Sequence, residues 1–249
     1  MFVPSILHHS SCLFECESHV PQTFGVLCWN VHKNNCKNSA LKKYLLKKEN
    51  TYDFMLFQEA SFRDNQHFTL PNFAFDAAAN LEIKGRFYGV LTASKAASQH
   101  ANAYLSEGRE SLWGPHKSLL VSHYRFDDGT PLLILNVHAI NFRENQGYNR
   151  ELERFLTLMQ DHEGAMIVAG DFNTWNKVRM QKLHLLRQKL NLHSVPFEQD
   201  DHIKSFMGNH LDFIFYRGLE LQAYSSEKVP SLSDHNPLFA TFKKVNEEG

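Results

Sequence analysis

A few short stretches carry the side chains that could do chemistry. Asn30 interrupts Cys28-Trp29-Asn30-Val31, Glu59 closes Phe54-Met55-Leu56-Phe57-Gln58-Glu59, and His138 closes Leu133-Ile134-Leu135-Asn136-Val137-His138. Asp171 and Asn173 follow Val168-Ala169-Gly170, Asp212 opens Leu211-Asp212-Phe213-Ile214-Phe215, and Ser233-Asp234-His235-Asn236-Pro237 precedes the last apolar run. Each is an acid, amide or imidazole at the end of an apolar strand, so it sits at the rim of a core with its backbone direction fixed by a sheet. Oxygen donors so placed suit a hard cation such as magnesium, which takes oxygen ligands and keeps several waters.

In Gly170-Asp171-Phe172-Asn173 the glycine permits a tight approach, and the alternate residues Asp171 and Asn173 project to one side of an extended chain. Asp171 could orient or deprotonate a water, and the Asn173 amide could hydrogen-bond a phosphoryl oxygen as negative charge builds on it. Asp212 and His235 make an orienter and a base, because a carboxylate fixes the imidazole tautomer and stabilises the imidazolium. Taken singly, each has a bland reading: Asn30 as a strand-end amide, Glu59 as half of a salt bridge, the glycine-led stretch as a turn, Asp212 as a cap. Their joint occurrence outweighs those readings. With 15 histidines in the chain a lone one means little, and His67, His100, His116 and His123 read as surface or loop residues.

The elements that must position these groups follow from the apolar periods. Strands are expected at Gly25–His32, Asp53–Glu59, Phe87–Thr92, Ser118–Tyr124, Leu132–His138, Met166–Asp171, Leu211–Arg217 and Leu238–Phe242. Ser39 is expected to cap a helix through Leu41, Tyr44, Leu45 and Lys48; Leu152, Phe155, Leu156 and Met159 recur at helical spacing, and a further helix is expected from about Val178 to Leu190. Many strands, few helices and no regular alternation point to an α+β sandwich of two mixed sheets with helices on the outer faces. One domain over residues 23–245 is expected, after a loosely ordered segment over residues 1–22, because no repeat or linker divides the chain.

The bulk numbers exclude several classes. With 249 residues, 43% hydrophobic and 21% charged, the chain is of ordinary globular composition, and it has no apolar run long enough to span a bilayer. Its 26 basic and 27 acidic residues give no general positive field for gripping duplex nucleic acid, though a local patch is compatible with them. Cys12, Cys16, Cys28 and Cys36 follow no paired metal-ligand spacing and read as reduced thiols, and the first residues make a poor secretory signal. Together these features imply a cytoplasmic setting.

The motif set resembles the endonuclease/exonuclease/phosphatase superfamily, with its DNase I-like fold, over about Gly25 to Phe242. Its carriers are Trp29-Asn30, Gln58-Glu59, Asn136-Val137-His138, Gly170-Asp171-Phe172-Asn173, Leu211-Asp212-Phe213 and Ser233-Asp234-His235-Asn236-Pro237, in that order. With Phe213-Ile214-Phe215-Tyr216-Arg217-Gly218-Leu219 as support, the chain is most similar to the bacterial YafD-like branch. The resemblance implies a four-layer α/β-sandwich and one site at the end of the paired sheets. It implies Glu59 as principal ligand of magnesium, or manganese in its place, with Asn30 beside it and Asp234 near the cation. It also implies Asp171 and Asn173 flanking the scissile phosphate, His138 and Asn141 contacting phosphate, and His235 paired with Asp212, with either Asp171 or His235 as the base.

The expected activity is that of a phosphodiesterase on a nucleic acid or nucleotide. The alternatives are a phosphomonoesterase, a lipid-headgroup diesterase, and an inactive binding module on the same fold. The presence of every acid and histidine of the set speaks against the last. Arg143, Lys177 and Arg179 follow the His138 and Asp171 motifs closely and are expected to contact a polyanionic substrate, whereas Lys42, Lys43, Lys47 and Lys48 read as a solvated helix face. Trp113 and Trp175 are candidates to stack a base or rim the cleft. Asn72–Arg86, Ala96–Pro115 and Asn141–Tyr148 read as specificity loops.

Overall fold

The computed structural model describes residues 16–33, 38–63, 70, 72–109, 116–139, 145–197, 203–206 and 208–245. In chain order the elements are β1 (Thr23–Asn30), α1 (Ser39–Lys48), β2 (Phe54–Phe62), β3 (Ala74–Ile83), β4 (Arg86–Ser94), β5 (His100–Arg109), β6 (His116–Arg125) and β7 (Pro131–His138). They continue with α2 (Asn145–Met159), β8 (Ala165–Asp171), α3 (Lys177–Lys189), β9 (His193–Ser194), β10 (Ser205–Phe206), β11 (Asn209–His210), β12 (Asp212–Arg217), β13 (Leu219–Ser226) and β14 (Leu238–Lys244).

Alternate residues of the central strands enter different cores, which explains why those strands read as unbroken apolar runs. Val26, Cys28 and Leu56 of one sheet meet Ile134, Ile167 and Ile214 of the other in the core between them. Their neighbours Leu27, Trp29, Met55 and Phe57 point outward beneath Leu41 and Leu45, which lie one turn apart on α1. On the far side, Leu133, Leu135, Met166 and Val168 pack under Tyr148, Leu152 and Phe155 of α2 and Leu183 and Leu186 of α3. The result is the expected four-layer α+β sandwich.

One sheet has the order β13-β14-β1-β2-β4-β3 and the other β5-β6-β7-β8-β12-β9. Each is mixed: β1/β2 and β7/β8 are parallel, while the flanking pairs are antiparallel. A polar bridge crosses the apolar interface. Gln58 Nε2 donates to Asn136 Oδ1 at 2.8 Å, and Asn136 Nδ2 reaches the carbonyls of Leu91 at 3.0 Å and Phe57 at 3.3 Å, with both side chains fully buried. Asn136→Leu is therefore expected to destabilise by about 1–3 kcal/mol, since it strands buried donors and acceptors. Thermal melts would measure this, and an unchanged Tm would remove the bridge's role.

Several sequence-based expectations are corrected. Helix α1 is capped by Asn38, whose side chain accepts from Ala40 N and Leu41 N, rather than by Ser39. The segments expected as loops at Asn72–Arg86 and Ala96–Pro115 contain β3 and β5, and α2 begins at Asn145 inside the third. His100 is at the surface as expected, though in a strand and not a loop, while His116 and His123 are half-buried in the next strand. Cys16 is disulfide-bonded, not a reduced thiol, so cysteine usage no longer supports a reducing compartment; Cys28 is free and buried. Residues 16–22 run along the sandwich, where Glu17 bridges Ala96 and Val20 bridges Phe126 and is wholly buried. Residues 1–15 lie outside the described residues. No helix among the described residues is long and apolar enough to cross a membrane.

Candidate active site

Register across three adjacent strands builds one wall of the site. His138 on β7 pairs with Asp171 on β8, and Asp171 pairs with Asp212 on β12, so one row carries an imidazole and two carboxylates. Gly170 makes this possible: at φ +145° it lies so close to β7 that an added Cβ would stand 2.0 Å from the Val137 carbonyl oxygen. Beyond it the chain does not stay extended as expected, because β8 ends at Asp171 and the Asn173 side chain turns to the Ala139 carbonyl. Phe172 turns into the outer core against Phe213 and Phe215. Asp171 faces the site, and Asn173, in a left-handed conformation at φ +50°, donates its backbone N–H to Asp171 Oδ1 at 3.0 Å.

The opposite wall comes from the other sheet. Glu59 does not end β2 as expected; it sits at a bulge between Phe57 and Ala60, at φ +50°, and the strand resumes beyond it. A bulge re-aims one side chain without ending the pairing. His32 and Lys33 after β1 are also left-handed, at φ +46° and +59°. The last loop is stapled to β1, since Trp29 Nε1 donates to His235 O at 2.8 Å and Ser233 Oγ to Asn30 O at 2.7 Å.

Between the walls lies a cleft of about 630 Å³, lined by Asn30, Glu59, His138, Asp171, Asp234 and His235 among others. His235 Nδ1 is hydrogen-bonded to Asp212 Oδ2 at 2.7 Å, and its Nε2 faces Asp171 Oδ2 at 3.8 Å. Burial alone would lower the His235 pKa. The charge and hydrogen bond of Asp212, helped by Asp171 and Asp234, outweigh it and raise the group to about 9. Burial, then the Asp212 charge, pushes Asp171 up to about 6 against the opposing pull of His235, the Asn173 N–H and an Asn30 amide donor at 3.1 Å. His138 is buried with Lys117 Nζ 3.0 Å from its Nε2; desolvation and the Lys117 charge hold it well below the usual histidine range, as a neutral ring.

Glu59 and Asp234 meet on one imidazole, with His32 Nδ1 4.0 Å from Glu59 Oε2 and 3.3 Å from Asp234 Oδ1. Lys33 Nζ lies 3.6 Å from Glu59 Oε2, and Lys204 Nζ 2.6 Å from Asp234 Oδ2. Positive side chains thus stand in beside two carboxylates whose donors are all oxygen, and these residues fit a hard divalent cation. Asn30 is turned elsewhere: its Oδ1 accepts from His32 N and its Nδ2 donates to Asp171. Asp171, Asp212 and His235 also gather ligand atoms within 4.8 Å, but with Nδ1 committed to Asp212 this trio is better suited to holding protons than to caging a cation.

Asn30, Glu59, His138, Asp171, Asp234 and His235 therefore line one cleft, with Asn173 and Asp212 buried behind it and bonded to Asp171 and His235. Asn141, Arg143 and Trp113 lie outside the described residues. Arg179 is wholly buried and does not line the cleft. Sequence reasoning missed His32, Lys33, Lys117, Lys204 and Phe206 in the lining. Only Lys117, charged within a strand, carried a signal that could have been read.

The sequence model described as "Endonuclease/Exonuclease/phosphatase family" matches residues 27–235. A UPF0294 protein of Vibrio parahaemolyticus is 34% identical over 225 residues, covering 88% of this chain and 77% of that protein. Among solved structures, an endonuclease/exonuclease/phosphatase family protein from Leptotrichia buccalis superposes with a TM-score of 0.65 at 16% identity, covering 88% of this chain and 99% of that one. A mannosyl-6-phosphatase of Bacteroides thetaiotaomicron gives 0.61 at 15% identity, covering 88% and 99%. At those identities the structures attest the shared fold alone. With the family's model matched from the first strand of the site to its last histidine, the chain belongs to the endonuclease/exonuclease/phosphatase family, among the UPF0294 (YafD-like) proteins.

Proposed function

We propose that this chain is a magnesium-dependent phosphodiesterase that hydrolyses a nucleic acid or nucleotide by attack of water on phosphorus. Membership of the family supports a phosphate-ester hydrolase. The observation that carries the mechanism is the separation of two neighbouring groups, Asp171 near 6 and His235 near 9, at 3.8 Å. Such divergence assigns a base and an acid. Asp171, ionised at neutral pH, takes the proton from water. As the water oxygen bonds phosphorus the P–O ester bond breaks, and His235, held as an imidazolium by Asp212, gives its proton to the departing ester oxygen. His138 and Lys117 line the same cleft, and the Asn173 N–H orients Asp171 from behind it.

Glu59 and Asp234 are the residues that would hold magnesium, or manganese in its place, while Asn30 is engaged by His32 and Asp171, and the cation would neutralise charge on a phosphoryl oxygen. The nucleic-acid part of the reading draws on the outer cleft. Lys33 and Lys204 supply positive charge there, and Trp175 and the exposed Phe206 line it, offering ring faces on which a base could stack.

The test is hydrolysis of DNA, RNA, a simple phosphodiester and a phosphomonoester with magnesium, by wild type and Glu59→Ala. Wild-type cleavage of a diester, with at least a hundredfold loss in the variant, is the expected result. Exclusive cleavage of the monoester would replace the diesterase reading. The pH–rate profile should be bell-shaped, rising through about 6 as Asp171 ionises and falling through about 9 as His235 loses its proton. A rate still climbing past pH 9 would instead make neutral His235 the base.

A further inference from the structure

Arg179 is wholly buried on the first turn of α3, although it is the residue type least suited to leaving water. Its guanidinium carbon lies 4.5 Å from the Tyr148 ring centre and 4.9 Å from that of Trp175. Glu151, buried on α2, acts on its charge across the same space. From this position Nη1 donates to the Asn173 carbonyl oxygen at 3.1 Å. An apolar side chain of similar length would fill the gap between the rings without desolvating a cation, so packing alone does not call for arginine.

We propose that Arg179 is a positioning residue for the hydrolytic reaction: from behind Trp175 it holds the Asn173 carbonyl, and through that residue fixes the Asn173 amide and the Asp171 carboxylate. The inference rests on the phosphoesterase reading above. Asn173 is left-handed, a conformation asparagine adopts more readily than other non-glycine residues, and here three hydrogen bonds fix it. Its N–H is tied to Asp171 Oδ1 at 3.0 Å, its side-chain Nδ2 to Ala139 O at 2.8 Å, and its carbonyl to Arg179. The two peptides flanking Asn173 are thus pinned from opposite sides, and the residue cannot relax to a commoner conformation without releasing one of them.

Release of the carbonyl would let Asn173 shift on its backbone, and with it the side-chain bond to Ala139 O and the N–H that orients Asp171. Because the guanidinium is flat, stacked and fork-shaped, an ammonium at the same position cannot reproduce its aim. Charge alone should therefore not suffice.

The experiment compares Arg179→Met and Arg179→Lys with wild type, each also combined with Asn173→Ala, recording kcat, KM and Tm. Both single variants should lose on the order of 100-fold in kcat, the scale of a misplaced catalytic group, with KM within threefold of wild type. In the Asn173→Ala background the further loss should shrink to a few-fold. Should Arg179→Met fail to fold, Arg179→Ala assayed with added methylguanidinium takes its place, with recovery of kcat expected and absence of recovery counting against the proposal. Near-wild-type kcat in Arg179→Lys, or an equal loss in both backgrounds, overturns the positioning role. A wild type inactive on every phosphate ester would instead sink the phosphoesterase reading, and the proposal with it.

Discussion

Asp171→Asn should lower kcat about a thousandfold, the range lost when a general base is removed, while leaving Tm unchanged or higher. The activity loss follows because an amide cannot accept the proton from water. The stability result follows from the sign of the pKa shift. The folded Asp171 titrates near 6 against an ordinary 3.8, so the fold disfavours its ionised form. That penalty is absent below pH 3.8, grows between 3.8 and 6, and is complete above 6. Asparagine escapes it and gives up at most one of the two hydrogen bonds that Asp171 accepts, worth about 1 kcal/mol. Melts at pH 7 and at pH 4.5, beside steady-state rates at pH 7, test both halves. The stability advantage should shrink at the lower pH, and a Tm lowered by several degrees at pH 7 would show that the carboxylate serves the fold and not the reaction.

Gly170→Ala should be the most damaging single methyl group in this part of the molecule. The new Cβ would stand 2.0 Å from Val137 O and 2.8 Å from Val137 C, both backbone atoms of a central strand, at a φ of +145° that alanine avoids. Relief would require separating β7 from β8 along their parallel register. A loss exceeding about 4 kcal/mol is expected, which for a domain of this size amounts to failure to fold at 37 °C or inclusion in aggregates. Recovery of soluble, cooperative protein with a Tm within a few degrees of wild type would show that the strands can part locally. Gly129 and Gly85, with nothing near the position of a Cβ, are the natural controls for the effect of positive φ alone.

The site was legible because its residues break a strong pattern. Acids and imidazoles at the ends of runs such as Met166-Ile167-Val168-Ala169 have no apolar explanation, although only Asp171 of the Asp171-Phe172-Asn173 stretch faces the cleft, because Asn173 is left-handed and bonds Ala139 O instead. What stayed hidden was set by distant partners. Strand β3, Ala74-Phe75-Asp76-Ala77-Ala78-Ala79, is poor in β-formers and becomes a strand only because β4 pairs with it. Edge strand β13 is exposed along most of its length and so lacks an apolar period.

Glu59 lines the cleft as its break in the apolar run suggested but from a different local structure, since a bulge depends on the pairing of β2 with β4, which no local pattern encodes. Arg179 was misread because closeness in sequence to Asp171 suggested the substrate side. The first turn of α3 turns it instead toward α2, where Tyr148 and Glu151 receive it. The lysines of α1 divide likewise: Lys48 is drawn off the solvated face into an ion pair with Glu227 and lies over the rings of Tyr44 and Phe239.

The staple from Trp29 to His235 and from Ser233 to Asn30 joins residues more than two hundred positions apart. β1 is flanked on one side by β2 and on the other by β14, so half of its support emerges from the ribosome almost at the end of the described chain. A nascent chain that stops before Ser233 holds Glu59, His138 and Asp171 but has neither the imidazole nor the loop that closes over them. If the proposed function holds, products released before His235 is made should be silent toward any phosphate ester they meet. Contacts of such long sequence separation also form late and slowly, so the appearance of activity during refolding should lag behind the recovery of helix signal.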